Sequence, residues 1–179
     1  MNAGDIVKFY SEFAKLKDTL RTGWTKYLSK SQVESVAEHS FSVTLLSLII
    51  AEKYFPNANT NKIMTIGLIH DIGEAYVGDI TPHCGVCAEE KHKIEFEAVK
   101  QIFSNLENKE KYISLWEEYE EGKSIEAKIV KEVDKLEMAL QANLYESKHD
   151  TELAEFFESA EKKITLKEIK EIFDSIKTK

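Results

Sequence analysis

The sequence predicts an all-α, single-domain protein, and three observations carry that prediction. The 179 residues include only two prolines and seven glycines, too few for the many turns of a β-sandwich. Lys, Glu, Leu and Ile are abundant, and these residues favour helices. No segment shows a convincing period-two alternation of apolar and polar residues. No repeat, low-complexity tract or composition break marks a second domain, and a chain of this length can bury a hydrophobic core of its own.

The elements follow in order. Residues 4–16 place Ile6, Phe9, Tyr10, Phe13 and Leu16 on one helical face. The Gly-containing stretch "LRTGWTKYLSKSQ" then breaks the pattern and reads as a loop or a broken helix. In "SVAE", Ser35 with Glu38 three residues on is a capping-box signature, and its helix runs to about Phe55, before Pro56. Thr60 or Asn61 caps the next helix, which carries Ile63, Ile66, Ile69 and then His70 and Asp71. "VGDITPHCGVC" is loop by its Gly and Pro content. Further helices are expected over 89–105, 109–120, 125–147, 151–161 and 165–177.

Apolar residues at 42% and charged residues at 31% are ordinary for a soluble globular protein. The net charge of −8 argues against a nucleic-acid polymer as partner, which needs a basic surface. A small anionic ligand is still compatible, because a metal or one arginine reverses the field locally. The start "MNAGDIVKFY" has neither a basic n-region nor an apolar h-region. The longest apolar stretch, within "FSVTLLSLIIA", is too short to span a bilayer, and two cysteines make no disulfide framework. The chain therefore reads as cytoplasmic, without membrane association.

One segment stands out. In "LIHDIGEAYVGDITP", His70 and Asp71 lie about 100° apart on a helix, with Glu74 on the same side. Carboxylates near a helix C-terminus oppose the macrodipole, a cost that a divalent cation among them would remove. Taken alone, these residues read equally well as a satisfied histidine with surface acids. His39, in "ESVAEHS" at the start of the preceding helix, would meet the pair if the two helices pack antiparallel. Asp134, in "IVKEVDKLEMALQA", sits among Val130, Val133 and Leu136, and a buried carboxylate needs a partner or a metal. The flanking Lys131 and Lys135 also permit an exposed face. Two imidazoles with two carboxylates suit Mn²⁺, Co²⁺, Fe²⁺, Zn²⁺ or Mg²⁺ without selecting among them. In "HCGVC", His83, Cys84 and Cys87 fall short of the four ligands of a zinc site and read as an ordinary loop with reduced thiols. His92 and His149 read as surface residues.

His39, His70-Asp71 and Asp134, in that order on a helical chain, resemble the H…HD…D signature of the HD-domain metal-dependent phosphohydrolases. "RTGW", "ESVAEHS", "IHDIGEAYVGDITP", "LWEEYE" and "VDKLEMALQANLYE" are similar to motifs of the 5′-deoxynucleotidase subfamily, over about residues 15–147. The resemblance implies a helical homodimer that removes the 5′-phosphate from deoxyribonucleoside monophosphates with one divalent metal ion. It implies His39, His70, Asp71 and Asp134 as metal ligands and Glu74 and Asp79 as catalytic carboxylates. It also implies an arginine that grips phosphate and a tryptophan that packs on the sugar. Some members have these two adjacent, whereas here Thr22 and Gly23 separate Arg21 from Trp24. Trp24 therefore carries over better than Arg21, whose reach depends on the loop. Two other functions stay open at this point: an HD-type hydrolase of a cyclic phosphodiester or an alarmone, and a helical binding module that keeps a metal without turnover.

Overall fold

Asn2 sets the start of the first helix. Its side chain accepts from the Asp5 amide at 3.1 Å, and the Asp5 carboxylate accepts from the Asn2 amide at 2.7 Å. In the computed structural model, which describes residues 1–81 and 84–176, helix α1 spans Ala3–Phe13 and tightens into a 3-10 turn over Ala14–Lys17. A second 3-10 stretch, Thr22–Lys26, fills the Gly-containing interruption. Then come α2 (Val36–Tyr54), α3 (Thr60–Ile69), the one-turn α4 (Glu74–Val77), α5 (Ala88–Phe103) and α6 (Lys109–Glu121). The long α7 (Ile125–Lys148), α8 (Ala154–Lys163) and α9 (Lys167–Ile176) complete the order. Among the described residues no strand forms, apart from a single antiparallel bridge between Leu20 and Ser35. The all-α class stands.

The caps explain where helices begin. The Ser35 amide donates to Glu38 Oε2 at 2.7 Å, and the Glu38 amide donates to Ser35 Oγ at 3.2 Å, closing the expected capping box. For α3 the cap is Asn59 rather than Thr60 or Asn61. Its Oδ1 accepts from the Lys62 amide at 3.1 Å, while its own amide is taken by Glu126 at 3.0 Å. Ser124 caps α7 through the Ala127 amide at 3.1 Å.

The chain divides into two compact units, residues 1–40 with 68–117 and residues 41–67 with 118–179. In the first, α1 and α4 both pack on α5. Leu16, Val36, Ile69, Val99, Phe103 and Trp116 belong to its buried cluster, with Phe9 and Phe13 packed against it. Ile6 and Tyr10, placed on the inward face of the first helix by periodicity, are exposed. In the second unit α8 and α9 pack along α7. There Gly67 runs so close to α2 that a Cβ would lie 3.0 Å from the Thr44 backbone.

Buried Glu132 on α7 secures the start of α9. It accepts from the Thr165 amide at 2.8 Å, the Thr165 hydroxyl at 2.6 Å and the Leu166 amide at 2.7 Å. Removing the acceptor strands donors that water must then reach. Glu132→Ala is expected to destabilise the protein by about 3 kcal/mol, read as a lower urea midpoint at an unchanged m-value. A shift below roughly 0.5 kcal/mol would show that the cap contributes nothing beyond a surface contact.

Candidate metal centre

Three buried or partly buried groups converge in the first unit. His39 lies in the first turn of α2, just beyond the Ser35 cap, and is fully buried. α3 ends at Ile69, so His70 and Asp71 lie in the turn after the helix and not on it, contrary to the sequence reading. That turn is built from short-range bonds, from the Ile72 amide to Ile69 O at 3.1 Å and from the Glu74 amide to Asp71 O at 3.0 Å. Gly73 completes it against α5, where a Cβ would come within 3.1 Å of the Glu95 carbonyl. The Trp116 indole N–H donates to the His70 carbonyl at 3.0 Å and fixes the backbone behind the imidazole.

Asp71 Oδ2 lies 3.3 Å from His70 Nε2 and 3.7 Å from His39 Nε2, and the two imidazole rings stand 5.5 Å apart. One donor atom from each of the three residues falls within 4.8 Å of the others, a spacing that one cation can bridge. The donors are two borderline nitrogens and one hard oxygen, a set that fits a divalent first-row metal or Mg²⁺. Burial opposes ionisation of Asp71, but His70, Arg21 and His39 together hold its carboxyl well below the usual carboxylate range.

Of the remaining candidates, Glu74, Asp79 and Arg21 lie in the same unit and act on the trio through charge or contact. Glu74 opens α4 and is buried, and its Oε2 has no hydrogen-bond partner among the described residues. Burial pushes its carboxyl well above the ordinary range, and the charges of Asp71 and Asp79 push the same way against Arg21 and Lys91. Gly78, at φ +75°, ends the turn of helix and hands the chain to Asp79. Arg21 reaches the site: its Nη1 is 3.5 Å from Asp71 Oδ2 and 3.9 Å from Asp79 Oδ1. Trp24 is only 1% exposed, and its Nε1 donates to Glu34 at 3.0 Å. Asp134 belongs to the second unit, where it is buried, with Lys135 Nζ at 2.9 Å and the Tyr119 hydroxyl at 3.5 Å.

Two residues were missed from sequence. The Thr22 amide donates to Asp79 Oδ2 at 2.5 Å, and its hydroxyl reaches the same oxygen at 2.8 Å. Lys91 Nζ donates to the Ile80 carbonyl at 2.9 Å. Thr22 had a usable signal, since it sits inside the "RTGW" motif, whereas Lys91 is hidden in the charge run "EEKHK". Cys84 and Cys87 are exposed thiols, and among the described residues neither joins a metal-type cluster. His83 lies outside the described residues.

The chain is similar to several known proteins. The sequence profile of the HD domain matches residues 13–177. A 5′-deoxynucleotidase HDDC2 from Bos taurus is 36% identical over 179 residues, covering 97% of this chain and 85% of that protein. A conserved hypothetical protein from Pyrococcus furiosus superposes with a TM-score of 0.80 at 30% identity, covering 97% of this chain and 99% of its own. A predicted metal-dependent phosphohydrolase from Magnetospirillum magnetotacticum MS-1 gives a TM-score of 0.66 at 28% identity, over 78% of this chain and 70% of its own.

Proposed function

Since this chain belongs to the HD-domain family, we propose that it hydrolyses deoxyribonucleoside 5′-monophosphates to deoxyribonucleosides and phosphate. The observation that carries this reading is the trio of buried His39, buried His70 and partly buried Asp71, with the unpartnered Oε2 of buried Glu74 beside it. A purely structural metal site has no use for a spare buried acid.

In this reading His39, His70 and Asp71 hold one divalent cation, and Asp134 is the fourth ligand by its match to the family signature. When bound, the cation neutralises phosphoryl oxygens and lowers the pKa of coordinated water. Glu74 takes the proton of the attacking water at Oε2, and its raised proton affinity is in the direction such a base needs. Asp79, held by Thr22, would support the leaving 5′-oxygen by its match to the family motif. Arg21, already turned toward both aspartates, offers the phosphate charge-assisted bonds. Trp24 is assigned to the sugar by its match to the family motif, with its N–H committed to Glu34.

The same reading extends to a single domain, supported by a family match that spans residues of both units. It extends to a cytoplasmic homodimer in nucleotide metabolism. Self-association is supported by an exposed apolar stripe on α2, with Phe41 66%, Leu45 48% and Ile49 54% exposed at helical spacing. Among the described residues no helix is long and apolar enough to cross a membrane.

Phosphate release is the test, with dAMP, AMP and a cyclic nucleotide as substrates and Co²⁺, Mn²⁺, Mg²⁺, Fe²⁺ and Zn²⁺ supplied in turn. Release from dAMP is expected to exceed release from AMP by roughly ten- to a hundredfold in kcat/KM, the effect of one unsatisfied hydroxyl. No release from any deoxyribonucleoside monophosphate with any of these metals overturns the reading.

A further inference from the structure

Lys91 stands on α5 in a run of charges, yet its ammonium is turned inward and only 35% of its side chain is exposed. Its Nζ donates to the Ile80 carbonyl at 2.9 Å and lies 3.5 Å from Oε1 of Glu95, one turn along the helix. Glu95 is itself buried, and its backbone abuts Gly73 in the turn that carries His70 and Asp71. Ile80 directly follows Asp79. The segment therefore has attachments on two flanks, with Thr22 bonded to the Asp79 carboxylate and Lys91 to the next carbonyl. Between these attachments and α4 stands Gly78, where an added Cβ would meet nothing within 4 Å, so side-chain packing at that point does not brace the segment.

We propose that Lys91 is a positioning residue for Asp79. It ties the backbone of the Asp79 segment to α5 through the Ile80 carbonyl, and Glu95 orients the ammonium. The role rests on the nucleotidase reading, because Asp79 is the group that it positions. A lysine does this better than an apolar residue, since it gives the Ile80 carbonyl a charged donor, and Glu95, Glu74, Asp71 and Asp79 all favour the charged form of that ammonium. With the tie cut, Thr22 and Arg21 hold Asp79 from one flank only. A displacement of about 1 Å in a reacting group costs up to about 10²-fold in rate.

Lys91→Met keeps the length of the stem and removes the donor. The experiment compares wild type, Lys91→Met, Lys91→Arg and Glu95→Gln for dAMP hydrolysis, with metal content measured on each. Lys91→Met is expected to lower kcat by about 10- to 100-fold, with KM within about twofold and metal content unchanged. Lys91→Arg, which still donates to the carbonyl, is expected to restore most of kcat. If Lys91→Met does not fold, Glu95→Gln carries the test, with kcat expected to fall by roughly threefold or more at constant KM. An unchanged kcat in the folded variant overturns the proposal. So does a rise in KM alone, which would make Lys91 a phosphate contact. A wild type that releases no phosphate fails the nucleotidase reading instead, and is distinguishable from either result.

Discussion

Asp71→Ala is expected to lose the metal and phosphate release together. Its Oδ2 is the one anionic atom shared by His70 at 3.3 Å, His39 at 3.7 Å and Arg21 at 3.5 Å. Without it the trio keeps only two imidazole nitrogens as ligands, and the Arg21 guanidinium loses the nearer of its two carboxylates, so its positive charge opposes a cation there. A divalent ion contributes several kcal/mol to a phosphoryl transition state, so kcat/KM should fall by about 10³-fold or more. Elemental analysis of the purified variant beside wild type, with turnover of dAMP on the same samples, is the check. Full metal occupancy with wild-type turnover would remove Asp71 from the site.

Glu74→Gln separates chemistry from binding. The amide keeps the volume and one acceptor but takes no proton, so kcat should fall by about 10²- to 10⁴-fold while metal content and KM are retained. Stability of the metal-free protein should move the other way. Glu74 has a folded pKa raised by burial and by Asp71 and Asp79, so between its ordinary value near 4.5 and that raised value the folded state binds more protons than the unfolded one. The stability of the metal-free wild type therefore declines as pH rises through that window, and the variant should lack the decline. Urea midpoints of both proteins at pH 4.5 and pH 7.5, after removal of metal, test the sign. A variant less stable than wild type at pH 7.5 would mean that the buried carboxylate is stabilised by something that the amide cannot copy.

What was legible in the sequence was local. The Ser35–Glu38 box is spelled within four residues and formed as read. For Asp134 the apolar flanks pointed to burial and the flanking lysines left an exposed face open, and the residue is buried. The start of α3 was misread because Asn59 is chosen by Glu126, 67 residues away, which takes its amide and leaves its side chain to cap. The first helix was read past Phe13 because Leu16 keeps the helical spacing, although the backbone there has tightened to 3-10. His70 and Asp71 were placed on a helix because nothing in "LIHDIGE" reveals how closely Gly73 lies against α5. The reach of Arg21 depended on a loop whose shape is set by Thr22 and Asp79, 57 residues apart. Lys91 carries no local signal at all, since a lysine in "EEKHK" looks solvated until its carbonyl partner is seen.

The bond from the Trp116 indole to the His70 carbonyl has an optical consequence. This chain contains two tryptophans, both almost wholly buried. One is hydrogen-bonded to the backbone of a candidate ligand and stacked on His92 at 5.3 Å, and the other donates to Glu34, whose carbonyl accepts from the Arg21 amide. Indole emission depends on the charges and dipoles around the ring, and here one ring is hydrogen-bonded directly to His70. The protein thus carries its own chromophore at the centre, and a titration with metal can be followed by ultraviolet fluorescence without attaching a dye. Replacing Trp116 by Phe would then tell which part of the signal comes from behind His70.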